Sequence, residues 1–216
     1  MNIYLGENES GRIIKSDLRE VKHLLVVGKT GTGKTEFLRA IVKSLSADYG
    51  FDKIQFCLFS DVWFVLQSAV PTEYFLFGKE QSVAKDETEA GALLGRILSL
   101  IAARENGTAK DNAEIVLLCD ENAFYFERGN NEKIAEIIKR GNAVGVHIVY
   151  TLQNVRSEDK VMLELFPSVL CGTLCDDRQA KLILGEKSNR NMKPFEFILK
   201  TETASEIVRN NQKNKN

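Results

Sequence analysis

Gly28, Lys29, Thr30, Gly31, Thr32, Gly33, Lys34 and Thr35 fit the pattern G-x-x-x-x-G-K-[ST] in full. Each position has a chemical reason. Glycines let the backbone turn tightly enough to aim N–H groups at phosphate oxygens. A helix opening near Lys34 would point its positive end at the same anion. The Lys34 ammonium is a point charge for β- and γ-phosphates, and the Thr35 hydroxyl is a ligand for Mg²⁺. A glycine-rich turn with no ligand is the competing explanation. It leaves unexplained why a buried-strand run, Leu24 to Val27, immediately precedes the loop and an amphipathic helix follows it.

A site of this kind needs a carboxylate at the end of a neighbouring strand. The run from Ile115 through Cys119 ends in Asp120 and Glu121. Asp120 is expected to hold Mg²⁺, through water, and Glu121 to orient or deprotonate an attacking water. A third apolar run, from Val146, ends in Thr151, Leu152 and Gln153. A Gln at a strand tip beside the phosphates could sense the γ-phosphate and couple hydrolysis to motion. His147 lies inside that run, where a hydrogen-bonded core imidazole is the expectation rather than a catalytic one.

The elements that must position these groups are legible as alternating patterns. The short runs 24–27, 54–59, 115–119, 146–151, 169–172 and 195–199 are strand-length and nearly continuously apolar, as strands buried on both faces are. Between them, 34–46 places Phe37, Leu38, Ile41, Val42 and Leu45 on one helical stripe. Residues 86–104 open with Asp86 and Glu89 at capping-box spacing, and 131–140 open at Asn131, a residue suited to capping. Ile3–Leu5 and Arg12–Ile14 flank a polar turn and suggest a small hairpin. The expected fold is α/β: a mostly parallel sheet between helices, with an N-terminal β-hairpin.

Composition narrows the classes. The chain has 216 residues, with 29 Lys and Arg against 30 Asp and Glu, a formal charge of −1. That length suits one domain, read as 1–208, with a polar tail at 209–216 expected to be disordered. The charge excludes a protein that coats nucleic acid, but not a motor with a few basic loops. The four cysteines, Cys57, Cys119, Cys171 and Cys175, mostly sit in apolar runs and are read as buried free thiols. No apolar stretch approaches the roughly 18–20 residues that span a bilayer, and no secretory signal is visible, so a cytoplasmic location is expected.

The order of these motifs resembles the motor domain of the FtsK/SpoIIIE-type DNA translocases, within the FtsK–HerA group of RecA-like ATPases. The resemblance runs from about Gly11 to Leu199. It is carried by His23 ahead of the phosphate-loop strand, by Gly145, Val146 and His147 ahead of Gln153, and by Asp176, Asp177 and Arg178 after a further strand. It implies a RecA-like fold, ATP and Mg²⁺ as cofactors, and double-stranded DNA driven through a homo-hexameric ring. Arg156 and Lys160 are the expected basic contacts to the DNA. The family places an arginine shortly before the Gly-x-His, where it would act on the neighbouring subunit's ATP. Here that position is Asn142, so the incoming charge is assigned to Arg140 or Arg178. The stretch after Gln153 also departs from the family pattern, and the central region is shorter. The chain therefore reads as a minimal motor core. Motors for conjugative transfer, viral genome packaging or type VII protein secretion share such a core, and a nucleotide-dependent scaffold with weak hydrolysis is a further alternative.

Overall fold

A computed structural model describes residues 1–60, 66–120, 128–155, 163–174, 176–185, 192–201 and 205–210. Glu121, Arg156, Lys160 and Cys175 lie outside the described residues.

The chain opens with the expected hairpin, β1 (Asn2–Glu7) against β2 (Ile13–Asp17), followed by one helical turn, α1 (Leu18–Val21). Next come β3 (Leu24–Val27), α2 (Lys34–Asp48) and β4 (Ile54–Ser60). A short helix α3 (Lys79–Ser82) and a two-residue strand β5 (Val83–Ala84) lead into α4 (Glu87–Glu105). Then follow β6 (Glu114–Asp120), α5 (Arg128–Arg140), β7 (Val146–Leu152), β8 (Ser168–Cys171), α6 (Asp177–Leu184), β9 (Glu196–Lys200) and β10 (Ser205–Arg209).

These strands form one sheet in the order β2-β1-β10-β9-β8-β3-β7-β6-β4-β5. The pairings from β8 to β5 are parallel, and those from β8 out to β2 are antiparallel. Alternation within the apolar runs explains why they are buried on both faces. Leu24 and Val26 pack with Phe37, Leu38, Ile41 and Leu45 of α2 on one side. Leu25 and Val27 pack on the other side, in the core that α4 and α5 build with Leu93, Ile97, Ile134 and Ile137.

The structure differs from the sequence expectations at four points. The loop strand β3 and the Asp120 strand β6 are not neighbours, because β7 lies between them. Helix α5 begins at Arg128, so Asn131 does not cap it. The nearby Asn130 amide is spent on a tertiary contact, donating to the Glu87 carbonyl of α4 at 3.2 Å. Arg209 and Asn210, expected at the head of a disordered tail, are instead ordered: Arg209 pairs in β10 and donates to the Glu196 carboxylate at 2.8 Å, while the Asn210 N–H bonds the Phe195 carbonyl. Strands β5 and β10 are absent from the sequence reading: one is two residues long, and the other, Ser-Glu-Ile-Val-Arg, is too polar to stand out.

Helix α4 starts as expected. The Asp86 carboxylate accepts the Glu89 N–H at 2.9 Å, while the Glu89 carboxylate reaches back to the Lys85 N–H at 2.9 Å. That is a capping box offset by one residue on its return arm. Cys57, Cys119 and Cys171 are buried free thiols, and burial pushes all three up, Cys57 and Cys171 to about 12. No helix among the described residues is long and apolar enough to cross a membrane.

Candidate nucleotide site

Strands β3, β7, β6 and β8 run parallel, so their carboxyl ends share one edge of the sheet. The loop from Gly28 to Gly33 leaves β3 at that edge and is stitched to both flanks. Gly28 donates its N–H to the Leu152 carbonyl at 3.0 Å, and Lys29 donates to the Thr173 carbonyl at 2.8 Å. Gly33, the residue before α2, has φ +97°, and a Cβ there would lie 2.4 Å from the Phe195 ring. No other residue type fits that position.

Lys34 is only 3% exposed. Its ammonium folds back over the loop, donating to the Gly28 carbonyl at 2.7 Å and reaching the Lys29 carbonyl at 3.5 Å. A buried cation that donates to two loop carbonyls sits at the mouth of a loop whose helix opens with N–H groups that have no partner within the helix. That combination fits a phosphate chain. The Thr35 hydroxyl donates to Asp120 Oδ2 at 3.0 Å, and the Thr151 hydroxyl donates to Asp120 Oδ1 at 2.7 Å. Asp120 is fully buried. Gln153, half-buried, donates its side-chain amide to the Thr30 hydroxyl at the loop tip. Three separate stretches of sequence thus meet at one point: the loop, the β6 tip and the β7 tip.

A hard oxygen donor set fits Mg²⁺. Among the described residues no cluster of three His, Cys, Asp or Glu forms a resident metal site. One hydroxyl and one carboxylate are what a Mg²⁺ shared with phosphate oxygens and water requires.

The two arginine candidates separate. Arg178 is exposed in the first turn of α6, whose Asp176 cap accepts the Gln179 N–H at 2.9 Å. That helix begins at the loop end of the sheet. Arg140 ends α5 and leads through the turn Gly141–Val144 into the start of β7, at the opposite edge. Asn142 lies in the same turn. Arg140 is engaged by the Glu105 carboxylate at 2.6 Å and by Glu136, which hold its pKa well up.

The two histidines also lie at that opposite edge, where they join β3 to β7. The His23 Nδ1 accepts the Ile148 N–H at 3.1 Å. The His147 ring nitrogens lie 2.8 Å from the Lys22 carbonyl and 2.8 Å from the Glu114 carboxylate, which Arg19 also binds. Their role is structural, and sequence reasoning found it only for His147. Burial, with the charge of neighbouring His147 second, lowers the His23 pKa to about 3. Unfolded, the ring titrates near its ordinary value of 6.5. Between these values the unfolded chain binds the extra proton, so stability is lost as pH falls through that window. We expect the melting temperature to drop between pH 7 and 5, and the drop to be smaller in His23→Gln, whose amide oxygen accepts the same N–H without titrating. Equal slopes in thermal melts would show that His23 does not contribute.

The fold and the phosphate-loop motif are those of the RecA-like P-loop class. Within that class the similarity is to the FtsK/SpoIIIE family, whose sequence profile matches residues 1–70. The DNA translocase FtsK of Helicobacter pylori strain J99 is 25% identical over 171 residues, covering 71% of this chain and 20% of its own length. Two solved structures share the fold. Thermomonospora curvata EccC (ATPases 2 and 3), in complex with a signal sequence peptide, superposes with a TM-score of 0.78 at 16% identity, over 97% of this chain and 40% of that one. The pCW3 conjugation coupling protein TcpA with ATPγS gives a TM-score of 0.74 at 18% identity, over 96% of this chain and 65% of that one. The resemblance read from the motifs is borne out, and the chain spans a fifth to a quarter of the length of its curated relatives, 20% and 25% in two of them.

Proposed function

We propose that this chain is the motor unit of an ATP-driven translocase that moves double-stranded DNA in the cytoplasm. The observation that carries the reading is the convergence of Lys34, Thr35, Asp120 and Gln153 at one edge of the sheet, in a chain whose relatives are DNA translocases. Lys34 and the loop N–H groups that are not spent on carbonyls, those of Thr30, Gly31, Gly33 and Thr35, bind the β- and γ-phosphates. Thr35 and Asp120 would hold Mg²⁺, which would supply neutralisation of phosphate charge when bound. Glu121, the residue after Asp120, takes a proton from the attacking water. Gln153 bonds the loop tip at Thr30, so a change at the γ-phosphate position reaches β7 directly.

Among the described residues the site offers its own γ-phosphate no arginine beyond the exposed Arg178 in α6. We assign the missing charge to a neighbouring subunit in a homo-hexameric ring, head to tail. Arg140 serves in that role only if its pairs with Glu105 and Glu136 open, and Arg178 is the other donor. Arg156 and Lys160 contact the DNA backbone.

ATP turnover measured with and without duplex DNA tests the reading. Severalfold stimulation by duplex is expected, with Glu121→Gln binding ATP but turning over at least about a hundredfold more slowly. In mixtures, Lys34→Ala subunits are expected to restore some turnover to Arg140→Ala subunits if Arg140 acts in trans, and to Arg178→Ala subunits if Arg178 does. Stimulation only by single strands or by a protein substrate would move the assignment to a transfer or secretion motor. No turnover under any condition would leave a nucleotide-dependent scaffold.

A further inference from the structure

We propose that Phe195 is the platform on which the nucleotide base stacks. The proposal rests on the nucleotide site described above and adds to it the place of the base.

The segment from Lys193 to Glu196 is a tight turn, closed by the Glu196 N–H on the Lys193 carbonyl at 3.0 Å. Its central residues are Pro194 and Phe195, and Phe195 has φ +68°. Proline followed by a residue of positive φ is the pattern of a type II turn, whose third position calls for glycine or asparagine. Among the described residues only Lys22 and Phe195 are non-glycines with positive φ. A bulky aromatic residue in that conformation is strained, and strain of this kind collects at ligand sites where the surroundings over-determine it. Here they do. The Phe195 N–H donates to the Thr32 carbonyl of the phosphate loop at 2.9 Å, and the Phe195 carbonyl accepts the Asn210 N–H at 2.9 Å.

The ring lands on Gly33, whose missing side chain makes room for it. Phe195 as a whole is half-buried, and its ring lies against the last glycine of the loop, where α2 begins. The loop has two flanks. Thr35, Asp120 and Gln153 gather on the β7–β6 side, the ionic side that takes the γ-phosphate and Mg²⁺. A nucleotide whose phosphate chain ends there carries its base away from that side, towards β8 and β9. Phe195, in the turn just before β9, is the aromatic surface on that path. A residue that only braced the loop would not need a strained aromatic side chain, since glycine in the same turn would keep both backbone bonds. Phe197 already fills the core nearby, edge-on to Phe37 with ring centroids 5.5 Å apart. The ligand class implied is an aromatic base joined to a di- or triphosphate, held by its π-face.

The test compares ADP with inorganic tripolyphosphate, both with Mg²⁺, in calorimetric titrations. Phe195→Ala is expected to bind ADP about tenfold more weakly, the scale of one base–aromatic stack, with tripolyphosphate unchanged. Phe195→Tyr should bind ADP as the unaltered chain does. Phe195→Gly, which suits the positive φ, serves as the second variant if Phe195→Ala is unstable. In a Trp63→Phe background, Phe195→Trp should show indole fluorescence quenched by ADP and not by tripolyphosphate. Equal losses for both ligands, or no loss for either, would overturn the proposal and leave Phe195 a brace for the loop. If the unaltered chain binds neither ligand, the nucleotide site itself fails. Lys34→Ala, losing both ligands together, separates that failure from the loss of the base platform alone.

Discussion

Lys34→Ala is expected to weaken binding of Mg-ATPγS by a hundredfold or more in calorimetric titration. In the proposed site the ammonium is the cation that the loop itself brings to the phosphates. Losing a charged partner at a desolvated site costs on the order of 2–5 kcal/mol, or about 30- to several-thousandfold. The side chain is nearly buried and its donors face the Gly28 and Lys29 carbonyls. Removing it therefore exchanges internal hydrogen bonds for water at the loop mouth and leaves the sheet untouched. The melting temperature without nucleotide should shift by only a few degrees. Near-native ATPγS affinity in a folded Lys34→Ala protein would refute the site.

Asp120→Asn is the second large effect, expected to reduce ATP turnover by about a thousandfold while the fold holds. In transition-state terms that is ~4 kcal/mol. Asn keeps the volume of the side chain, and the Thr35 and Thr151 hydroxyls can rotate to donate to its oxygen or accept from its amide. What is lost is the negative charge beside Thr35, which the proposed Mg²⁺ site requires. Asp120→Leu makes the contrast. It leaves the fully buried Thr151 hydroxyl without the acceptor 2.7 Å away, which costs about 1–3 kcal/mol of stability. Urea titrations should therefore separate Asn from Leu, and turnover should not. If Asp120→Asn hydrolyses ATP at the native rate, Asp120 does not hold the metal.

The arginine pairs at the far edge are a smaller matter. Arg140, Glu105 and Glu136 are exposed or half-buried, and surface pairs of this kind contribute little to stability. Their interest lies in what they do to Arg140, which is neutralised within its own chain.

Much of the site is local chemistry, and local chemistry is legible in sequence. Gly33 must be glycine because φ +97° and the neighbouring ring exclude any other residue. Lys34 and Thr35 follow it at the only spacing that puts ammonium and hydroxyl at one helix start. The strand runs 24–27, 115–119 and 146–151 announce themselves because burial on both faces demands unbroken apolar residues. Asp86 and Glu89 mark the start of α4 because unpaired N–H groups at a helix end require acceptors there. Fold class, phosphate loop and acidic strand tip were therefore readable from residue order alone.

Long-range pairing decided the rest. Strands that read alike carry no signal of who pairs with whom, so the insertion of β7 between β3 and β6 emerges only in the assembled sheet. That insertion brings Thr151 to Asp120 and Gln153 to Thr30. Asn131 looked like a cap because capping residues are recognised by type, yet α5 extends three residues upstream to Arg128, beside the Asn130 contact to α4. The half-polar strand β10 exists because β9 and β1 offer it partners on both sides, which no periodicity within Ser205–Arg209 reveals. Phe195 is the sharpest case. In sequence it is one apolar residue at the start of a strand run; its positive φ and its seat on Gly33 arise from two backbone bonds to Thr32 and Asn210, partners 163 and 15 positions away in the chain. Periodicity and residue type report what a segment needs, whereas the identity of the partner that meets the need is set only when the whole chain has closed.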